Sequence, residues 1–145
     1  MPKPYASAVI DASTEDVWQA VREFNGLPNW HPGIGASELE DSARGSEVGA
    51  IRKLTLADGG IVRERLVTLD DTERSYTYDI LDSPFPIRSY RATMRVRPVT
   101  ATGQAFVEWW THFESEAAEE ERLVATFADG VFAAGLTGLG RYLTG

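Results

Sequence analysis

The sequence contains no cysteine and only two histidines. The first absence excludes a disulfide framework, a thiolate metal site and a thiol nucleophile. Because two histidines without a close third ligand do not form a metal site, we expect no bound metal. A glycine-rich phosphate loop, a nucleophile elbow and a dinucleotide-binding fingerprint are missing too, so we expect no cofactor.

Basic residues and long apolar runs are also scarce. Lys and Arg number 14 against 22 Asp and Glu, which gives a net charge of −8. A nucleic-acid partner needs a basic surface, so we expect none. No run of about 18 apolar residues occurs, and the first residues lack the apolar stretch of a signal peptide. We therefore expect a cytoplasmic protein without an integral membrane segment; a homodimer is compatible with the sequence, but no pattern indicates one.

The patterns that are present predict one α+β domain over residues 1–145. Tyr5 to Ile10 predicts a strand, and Ser13 predicts the N-cap of a helix. The apolar face of that helix consists of Val17, Trp18, Val21 and Phe24. We expect the helix to end near Asn25-Gly26, and residues 27–32 leave room for at most one further short helical turn.

From Ile34 to Glu116 the pattern has no helical period. We predict six strands there, at about residues 34–41, 47–56, 61–69, 74–81, 88–99 and 104–115. The predicted turns are Arg44-Gly45-Ser46, Asp58-Gly59, Asp70-Asp71-Thr72, Pro84 to Pro86, and Thr102-Gly103. Glu119 to Leu143 then predicts a long amphipathic helix. The predicted fold is a seven-stranded curved antiparallel sheet around this helix, with one or two short helices after the first strand.

One carboxylate falls on an apolar strand face. Glu64 shares its face with Val62, where an unpaired charge is costly unless the interior is a wet cavity. A three-residue turn at Ala57-Asp58-Gly59 places Arg52 opposite Glu64, whereas a two-residue turn would set Arg52 against Arg65, a disfavoured like-charge pair. We therefore predict an Arg52–Glu64 pair; an ordinary surface salt bridge is the alternative.

Tyrosines on the next two strands add polar tips to the same face. Tyr78 lies on one strand, and Tyr90 alternates with Ala92 on the next. A single tyrosine on a core face is more often a packing residue with a satisfied hydroxyl. Together with Glu64, however, these residues form the pattern of a small-molecule site, in which a few polar groups converge on an apolar interior.

The last strand is compatible with two registers. A four-residue turn over 100–103 sets Trp109 opposite Met94 on the inner face and leaves Glu108 outside. A three-residue turn sets Trp110 inside instead, together with Glu108. Because a slip of one residue exchanges the two faces, the strand pattern favours neither register.

The order of the elements resembles the START-like, helix-grip superfamily, which includes birch-pollen-allergen-like proteins, polyketide cyclases/dehydrases and lipid-transfer domains. The resemblance covers essentially the whole chain. Local stretches resemble the plant abscisic-acid receptors of that superfamily, in the order Gly49-Ala50-Ile51-Arg52, Glu64-Arg65-Leu66, Leu69-Asp70-Asp71 and Ser89-Tyr90-Arg91-Ala92. The matching residues line the receptors' hormone pocket. The resemblance therefore implies a ligand site made of Arg52, Glu64, Tyr78, Tyr90, Ala92 and Glu108, and it favours the register that also brings Trp110 inward.

The sequence departs from the receptors at three places. The turn between Arg52 and Glu64 is shorter, and Phe85-Pro86-Ile87 stands where the receptors have a basic latch. Trp30-His31-Pro32-Gly33 offers no counterpart of the lysine that meets the hormone's carboxylate. Hormone sensing is therefore not expected, and the resemblance fits the bacterial-type cyclase and lipid-binding group better.

Two functions are consistent with these patterns. The first is hydrophobic ligand binding or lipid transport, with an aromatic, polyketide-like or lipid molecule held in an internal cavity. The alternative is a polyketide aromatase/cyclase or dehydratase, with Glu64 as general base, Tyr90 stabilising an oxyanion and His31 shuttling protons. Pairing with Arg52 should lower the pKa of Glu64 and make it a poor base. A fully packed domain that acts through its surface is a third alternative.

Overall fold

The computed structural model describes residues 3–41 and 46–145. Within these residues, seven strands form one antiparallel sheet in the order β1-β7-β6-β5-β4-β3-β2. The elements are β1 (Tyr5–Ile10), α1 (Thr14–Val21), a 3-10 helix (Phe24–Asn29), β2 (Ile34–Leu39), β3 (Ile51–Leu56), β4 (Ile61–Asp70), β5 (Ser75–Asp82), β6 (Ile87–Pro98), β7 (Ala105–Ser115), α2 (Ala117–Ala125), a π-helix (Thr126–Ala133) and α3 (Ala134–Thr144). The last three elements are continuous and form the C-terminal helix, Ala117–Thr144. The sheet wraps around this helix, and the predicted fold class is confirmed.

The first helix begins as predicted. The side-chain oxygen of Ser13 accepts a 3.1 Å hydrogen bond from the backbone N–H of Asp16. The helix ends at Val21 rather than near Asn25-Gly26, because the chain tightens into the 3-10 helix Phe24–Asn29, which contains a proline without a backbone N–H. Trp30 and His31, which follow this short helix, pack against the ring of Trp109 on β7.

β2 ends earlier than predicted, and β3 begins later than predicted. Asp41 and Gly49 have positive φ angles of 55° and 96°, and such a backbone cannot continue an extended strand. Regular pairing of β3 therefore starts at Ile51. The turn predicted at Arg44-Gly45-Ser46 lies mainly outside the described residues.

The β3–β4 hairpin has the predicted register. Its turn is Ala57-Asp58-Gly59, with Gly59 at a φ of 93°, the left-handed conformation that glycine adopts without strain. Arg52 pairs with Glu64 across the two strands. The pairing inferred from turn length and like-charge repulsion is therefore confirmed.

The β6–β7 hairpin takes the four-residue turn over 100–103, which pairs Met94 with Trp109. The prediction that Glu108 and Trp110 face the interior is wrong. The longer turn shifts β7 by one position, and a shift of one residue moves every side chain of a strand to the opposite face. Trp109 is instead the buried residue, with 1% of its surface exposed.

Glu108 and Trp110 belong to a cluster on the outer face of the sheet. Glu108 accepts hydrogen bonds from the Tyr5 hydroxyl at 2.7 Å and from Nη2 of Arg95 at 2.8 Å. Trp110 stacks on Tyr5, and the Lys3 ammonium lies 5.0 Å from its ring centroid. Both residues therefore interact away from the interior.

By length and composition, the C-terminal helix could cross a membrane. In this fold it is the core helix, because its apolar side chains pack inside the sheet. The buried residues are Leu123, Phe127, Phe132, Leu136 and Leu139. A π-helical middle, Thr126–Ala133, is uncommon, and such segments often occur at functional sites.

Two glycines let the C-terminal helix approach the segment after the 3-10 helix. A Cβ atom added at Gly135 would lie 2.6 Å from Cδ2 of His31 and 2.7 Å from Cζ3 of Trp109. A Cβ atom at Gly138 would overlap the backbone carbonyl oxygen of Trp30. By contrast, nothing lies within 4 Å of a Cβ atom added at Gly140.

We expect Gly138→Ala to destabilise the protein by about 1–3 kcal/mol, the usual cost of overpacking. The matched control, Gly140→Ala, should stabilise it by up to about 1 kcal/mol, because alanine favours a helix and has space there. Urea unfolding midpoints of the two variants measure the difference. Equal stability would show that the helix does not approach Trp30 as closely as described.

Candidate functional site

A cavity of about 290 Å³ lies between the inner face of the sheet and the C-terminal helix. Its wall is mainly apolar and aromatic. The lining residues are Leu27, His31, Gly33, Ile34, Leu54, Leu56, Ala57, Asp58, Val62, Glu64, Tyr78, Ile80, Phe85, Tyr90, Trp109, Phe127, Gly130 and Val131. Ala57 and Asp58 in the β3–β4 turn and Gly130 on the helix are exposed, so the cavity opens between that turn and the helix. Its volume is near the lower end of the roughly 300–1,000 Å³ typical of small-molecule sites.

The polar part of the wall centres on the predicted ion pair. Nε and Nη2 of Arg52 lie 2.8 Å and 2.7 Å from the same carboxylate oxygen of Glu64, Oε1. Nη1 of Arg52 donates a 2.7 Å hydrogen bond to the backbone carbonyl of Phe24. Among the described residues, none donates a hydrogen bond to the second oxygen of Glu64, Oε2. The carboxylate therefore keeps one oxygen for whatever occupies the cavity.

Arg52 lies behind Glu64 and outside the cavity wall. Its guanidinium carbon is 3.9 Å from the ring centroid of Phe24 and 5.0 Å from that of Tyr78, and the residue is only 1% exposed. Ala92 is fully buried but also lies outside the wall. Of the residues that the resemblance implied, Glu64, Tyr78 and Tyr90 line the cavity.

Burial dominates the ionisation of the polar wall. It raises the pKa of Glu64, and the opposing effect of the Arg52 charge does not cancel this rise. The expectation that pairing would lower the pKa of Glu64 is therefore not met, because removal of the carboxylate from water outweighs a partner that contacts one oxygen. Burial also raises the pKa of Tyr78 and of Tyr90, so both hydroxyls stay protonated at neutral pH.

His31 lines the cavity, but both of its ring nitrogens are already engaged. Nε2 lies 2.7 Å from the carbonyl oxygen of Val131, and the backbone N–H of Gly33 donates a 3.0 Å hydrogen bond to Nδ1. This arrangement requires the neutral tautomer with its proton on Nε2. His31 therefore fixes the loop to the π-helical segment, and a role as proton shuttle would require it to break both bonds.

The predicted site did not include three important parts of the wall, and one of them, Trp109, is the inner residue of the register that the resemblance did not favour. Nε1 of Trp109 donates a 3.1 Å hydrogen bond to the Tyr78 hydroxyl, which orients that hydroxyl. The ring of Phe127 packs edge-on against that of Tyr90, with 5.0 Å between the ring centroids. Val131 completes the part of the cavity wall that the C-terminal helix forms. In the sequence the helix residues form only an apolar stripe, and such a stripe does not distinguish packing residues from cavity-lining residues. Within the described residues, no group of three potential ligand side chains could hold a metal ion.

Residues 1–144 match the family described as "Polyketide cyclase / dehydrase and lipid transport". The chain belongs to this family. Membership confirms the predicted relationship to the START-like, helix-grip superfamily. A comparison with functionally curated proteins gives no match.

Several solved structures are similar to this family member. The protein XoxI from Bacillus cereus is 34% identical with a TM-score of 0.88, over 99% of this chain and 96% of that chain. A protein from Thermobifida fusca is 33% identical with a TM-score of 0.87, over 98% of this chain and 93% of that chain. The ginseng major latex-like protein 151 from Panax ginseng is 17% identical with a TM-score of 0.78, over 99% of this chain and 98% of that chain, and shares the fold.

The environment of His31 predicts a pH dependence of stability. Burial lowers the pKa of His31 below its usual value of 6.5. The unfolded chain therefore takes up the proton first as the pH falls. The contribution of neutral His31 is complete above about pH 6.5 and is lost progressively as the pH falls from there to the folded-state pKa.

NMR titration of the two histidines, assigned with His112→Gln, should give a pKa below about 6.5 for His31. The free energy of unfolding, measured between neutral and acidic pH, should depend less on pH in His31→Gln than in the unaltered protein. A His31 resonance that titrates above this range would contradict the described hydrogen bonds.

Proposed function

We propose that this polyketide cyclase/dehydrase family member binds a lipophilic small molecule, aromatic, polyketide-like or lipid, in the cavity between the sheet and the C-terminal helix. The observation that carries the proposal is an apolar cavity whose few polar tips, Glu64, Tyr78 and Tyr90, converge on one side. Such a wall stabilises an apolar body by removing it from water and orients it through a small number of hydrogen bonds. A cytosolic location stays a prediction of the sequence.

Gly130 offers a way to close the cavity without disturbing the fold. It lines the cavity, and nothing lies within 4 Å of a Cβ atom added there. Gly140 has the same open surroundings on the same helix but lies outside the cavity wall. Leucine at either position should favour the helix over glycine, so the two substitutions differ mainly in whether they fill the cavity.

We expect Gly130→Leu to weaken binding of the neutral fluorescent probe N-phenyl-1-naphthylamine by about tenfold or more, which corresponds to roughly 1.4 kcal/mol. Gly140→Leu should bind the probe like the unaltered protein. Fluorescence titration measures both affinities, and native mass spectrometry of the purified protein tests for a retained small molecule. Equal binding by the two variants, or no binding by the unaltered protein together with no retained molecule, would reject a cavity-binding function.

The second candidate is a cofactor-free aromatase/cyclase or dehydratase. The observation in its favour is the raised pKa of Glu64 together with an oxygen, Oε2, that faces the cavity without a protein donor among the described residues. Such a carboxylate could take a proton from carbon next to a ketone, while the hydroxyl of Tyr78 or Tyr90 donates a hydrogen bond to the enolate oxygen. Return of that proton to a departing hydroxyl would release water.

For this alternative, Glu64→Gln should abolish turnover of a poly-β-ketone substrate while binding changes by no more than about tenfold, because glutamine keeps the shape but cannot accept the proton. Product analysis measures turnover, and circular dichroism confirms that the variant is folded despite the buried Arg52 left without its partner. Unchanged turnover in the folded variant would reject Glu64 as the base.

A further inference from the structure

We infer that the cavity selects uncharged ligands that carry a hydrogen-bond donor and rejects anionic ligands, because its wall presents one carboxylate oxygen of Glu64 while the compensating cation, Arg52, is sealed behind that wall. This inference rests on the proposed binding function. It names the chemical class of ligand, such as a phenol, an alcohol or a primary amide on an apolar skeleton, as opposed to a fatty acid or another carboxylate.

The two charges lie in a fixed order, with Glu64 in the cavity wall and Arg52 behind it. Arg52 is 1% exposed and is absent from the cavity lining. Its Nε donates to Oε1 of Glu64, Nη2 lies 2.7 Å from the same oxygen, and Nη1 donates to the Phe24 carbonyl. The aromatic rings of Phe24 and Tyr78 lie 3.9 Å and 5.0 Å from its guanidinium carbon. A ligand in the cavity therefore meets the carboxylate rather than the guanidinium.

Among the described residues, the cavity wall contains no positively charged side chain. The charged lining residues are Glu64 in the interior and Asp58 at the mouth, and no Lys or Arg side chain is among them. His31 is held as a neutral tautomer whose one N–H points to the Val131 carbonyl. An anion would thus pass one carboxylate and stop beside another, in a mainly apolar cavity where water screens the repulsion less than at the surface.

The cavity wall also offers hydrogen-bond partners to a ligand. Oε2 of Glu64 is an ionic acceptor, and a ligand donor that reaches it forms a charge-assisted bond. The Tyr78 hydroxyl accepts a hydrogen bond from Nε1 of Trp109, so its own proton can be donated to the neighbouring Tyr90 hydroxyl or to a ligand carbonyl or hydroxyl oxygen. The wall therefore matches a ligand with a donor near one end and, where present, a neutral acceptor beside it.

Two pairs of nearly equal-sized naphthalenes separate charge from shape. 2-Naphthol and 2-methylnaphthalene differ in the donor, and 2-naphthamide and 2-naphthoate differ in charge at neutral pH. Isothermal titration calorimetry should show 2-naphthol bound about tenfold to a hundredfold more tightly than 2-methylnaphthalene, the range expected for a hydrogen bond to a charged group. 2-Naphthamide should bind at least about tenfold more tightly than 2-naphthoate, since like charges repel strongly in a buried site.

The double variant Arg52→Met/Glu64→Gln removes both buried charges together, which proteins tolerate better than the loss of one partner. In this double variant, the affinity ratio of 2-naphthol to 2-methylnaphthalene and that of 2-naphthamide to 2-naphthoate should both fall below about threefold, because no buried charge then distinguishes the ligands. The matched control is Arg95→Met/Glu108→Gln, which removes another cross-strand Arg–Glu pair, on the outer face. The control should keep both preferences.

The outcomes distinguish this inference from the proposed function. Tighter binding of 2-naphthoate than of 2-naphthamide, or equal binding of 2-naphthol and 2-methylnaphthalene, would overturn the inference and leave cavity binding intact. Failure of all four compounds and of N-phenyl-1-naphthylamine to bind would overturn both. If the double variant fails to fold, the comparison of the two ligand pairs in the unaltered protein still decides.

Discussion

The buried ion pair between Arg52 and Glu64 is the interaction on which the interior depends. Two charges at this depth are costly unless each is paired and hydrogen-bonded. Here Arg52 meets Glu64 on one side and the Phe24 carbonyl on the other, with Phe24 stacked beneath it. The pair thus joins β3, β4 and the 3-10 helix at one point. Loss of one partner would leave an uncompensated buried charge, at a cost of about 3–5 kcal/mol.

The C-terminal helix provides the opposite wall of the cavity and fixes its shape. Gly135 and Gly138 allow the helix to touch His31 and Trp30, and His31 in turn lies within hydrogen-bond distance of the Val131 carbonyl in the π-helical segment. The same segment presents Gly130 to the cavity mouth, where no side chain fills the space. Close approach at one end of the helix and open space in its middle are therefore two consequences of where the glycines lie.

The sequence predicted the fold and the ion pair because both follow from local rules. Turn length and like-charge repulsion placed Arg52 opposite Glu64, and alternation placed Tyr78 and Tyr90 on the inner face. The sequence between β6 and β7 is compatible with a turn of three or four residues, so the strand pattern left the face of Glu108 and Trp110 undecided. The resemblance to hormone receptors favoured the wrong register, because it transferred residue positions from the receptors without taking account of the length of the β6–β7 turn in this chain.

The order of the two charges could not be predicted from the sequence. It depends on the Phe24 carbonyl, 28 residues from Arg52 in the chain, which draws the guanidinium away from the cavity. Pattern arguments assign side chains to a face of the sheet, but they do not say which member of a pair lies closer to the interior. For the same reason, the direction of the change in the pKa of Glu64 required the depth of its burial, which only the packed structure provides.

The most direct measurement is a crystal structure of the protein with 2-naphthol. The naphthalene ring should lie in the cavity, with its hydroxyl oxygen about 2.5–2.7 Å from Oε2 of Glu64, the length of a charge-assisted hydrogen bond. Arg52 should remain on Oε1 and on the Phe24 carbonyl. A ring bound outside the cavity, or an Arg52 guanidinium turned into the cavity to contact the ligand, would contradict the account.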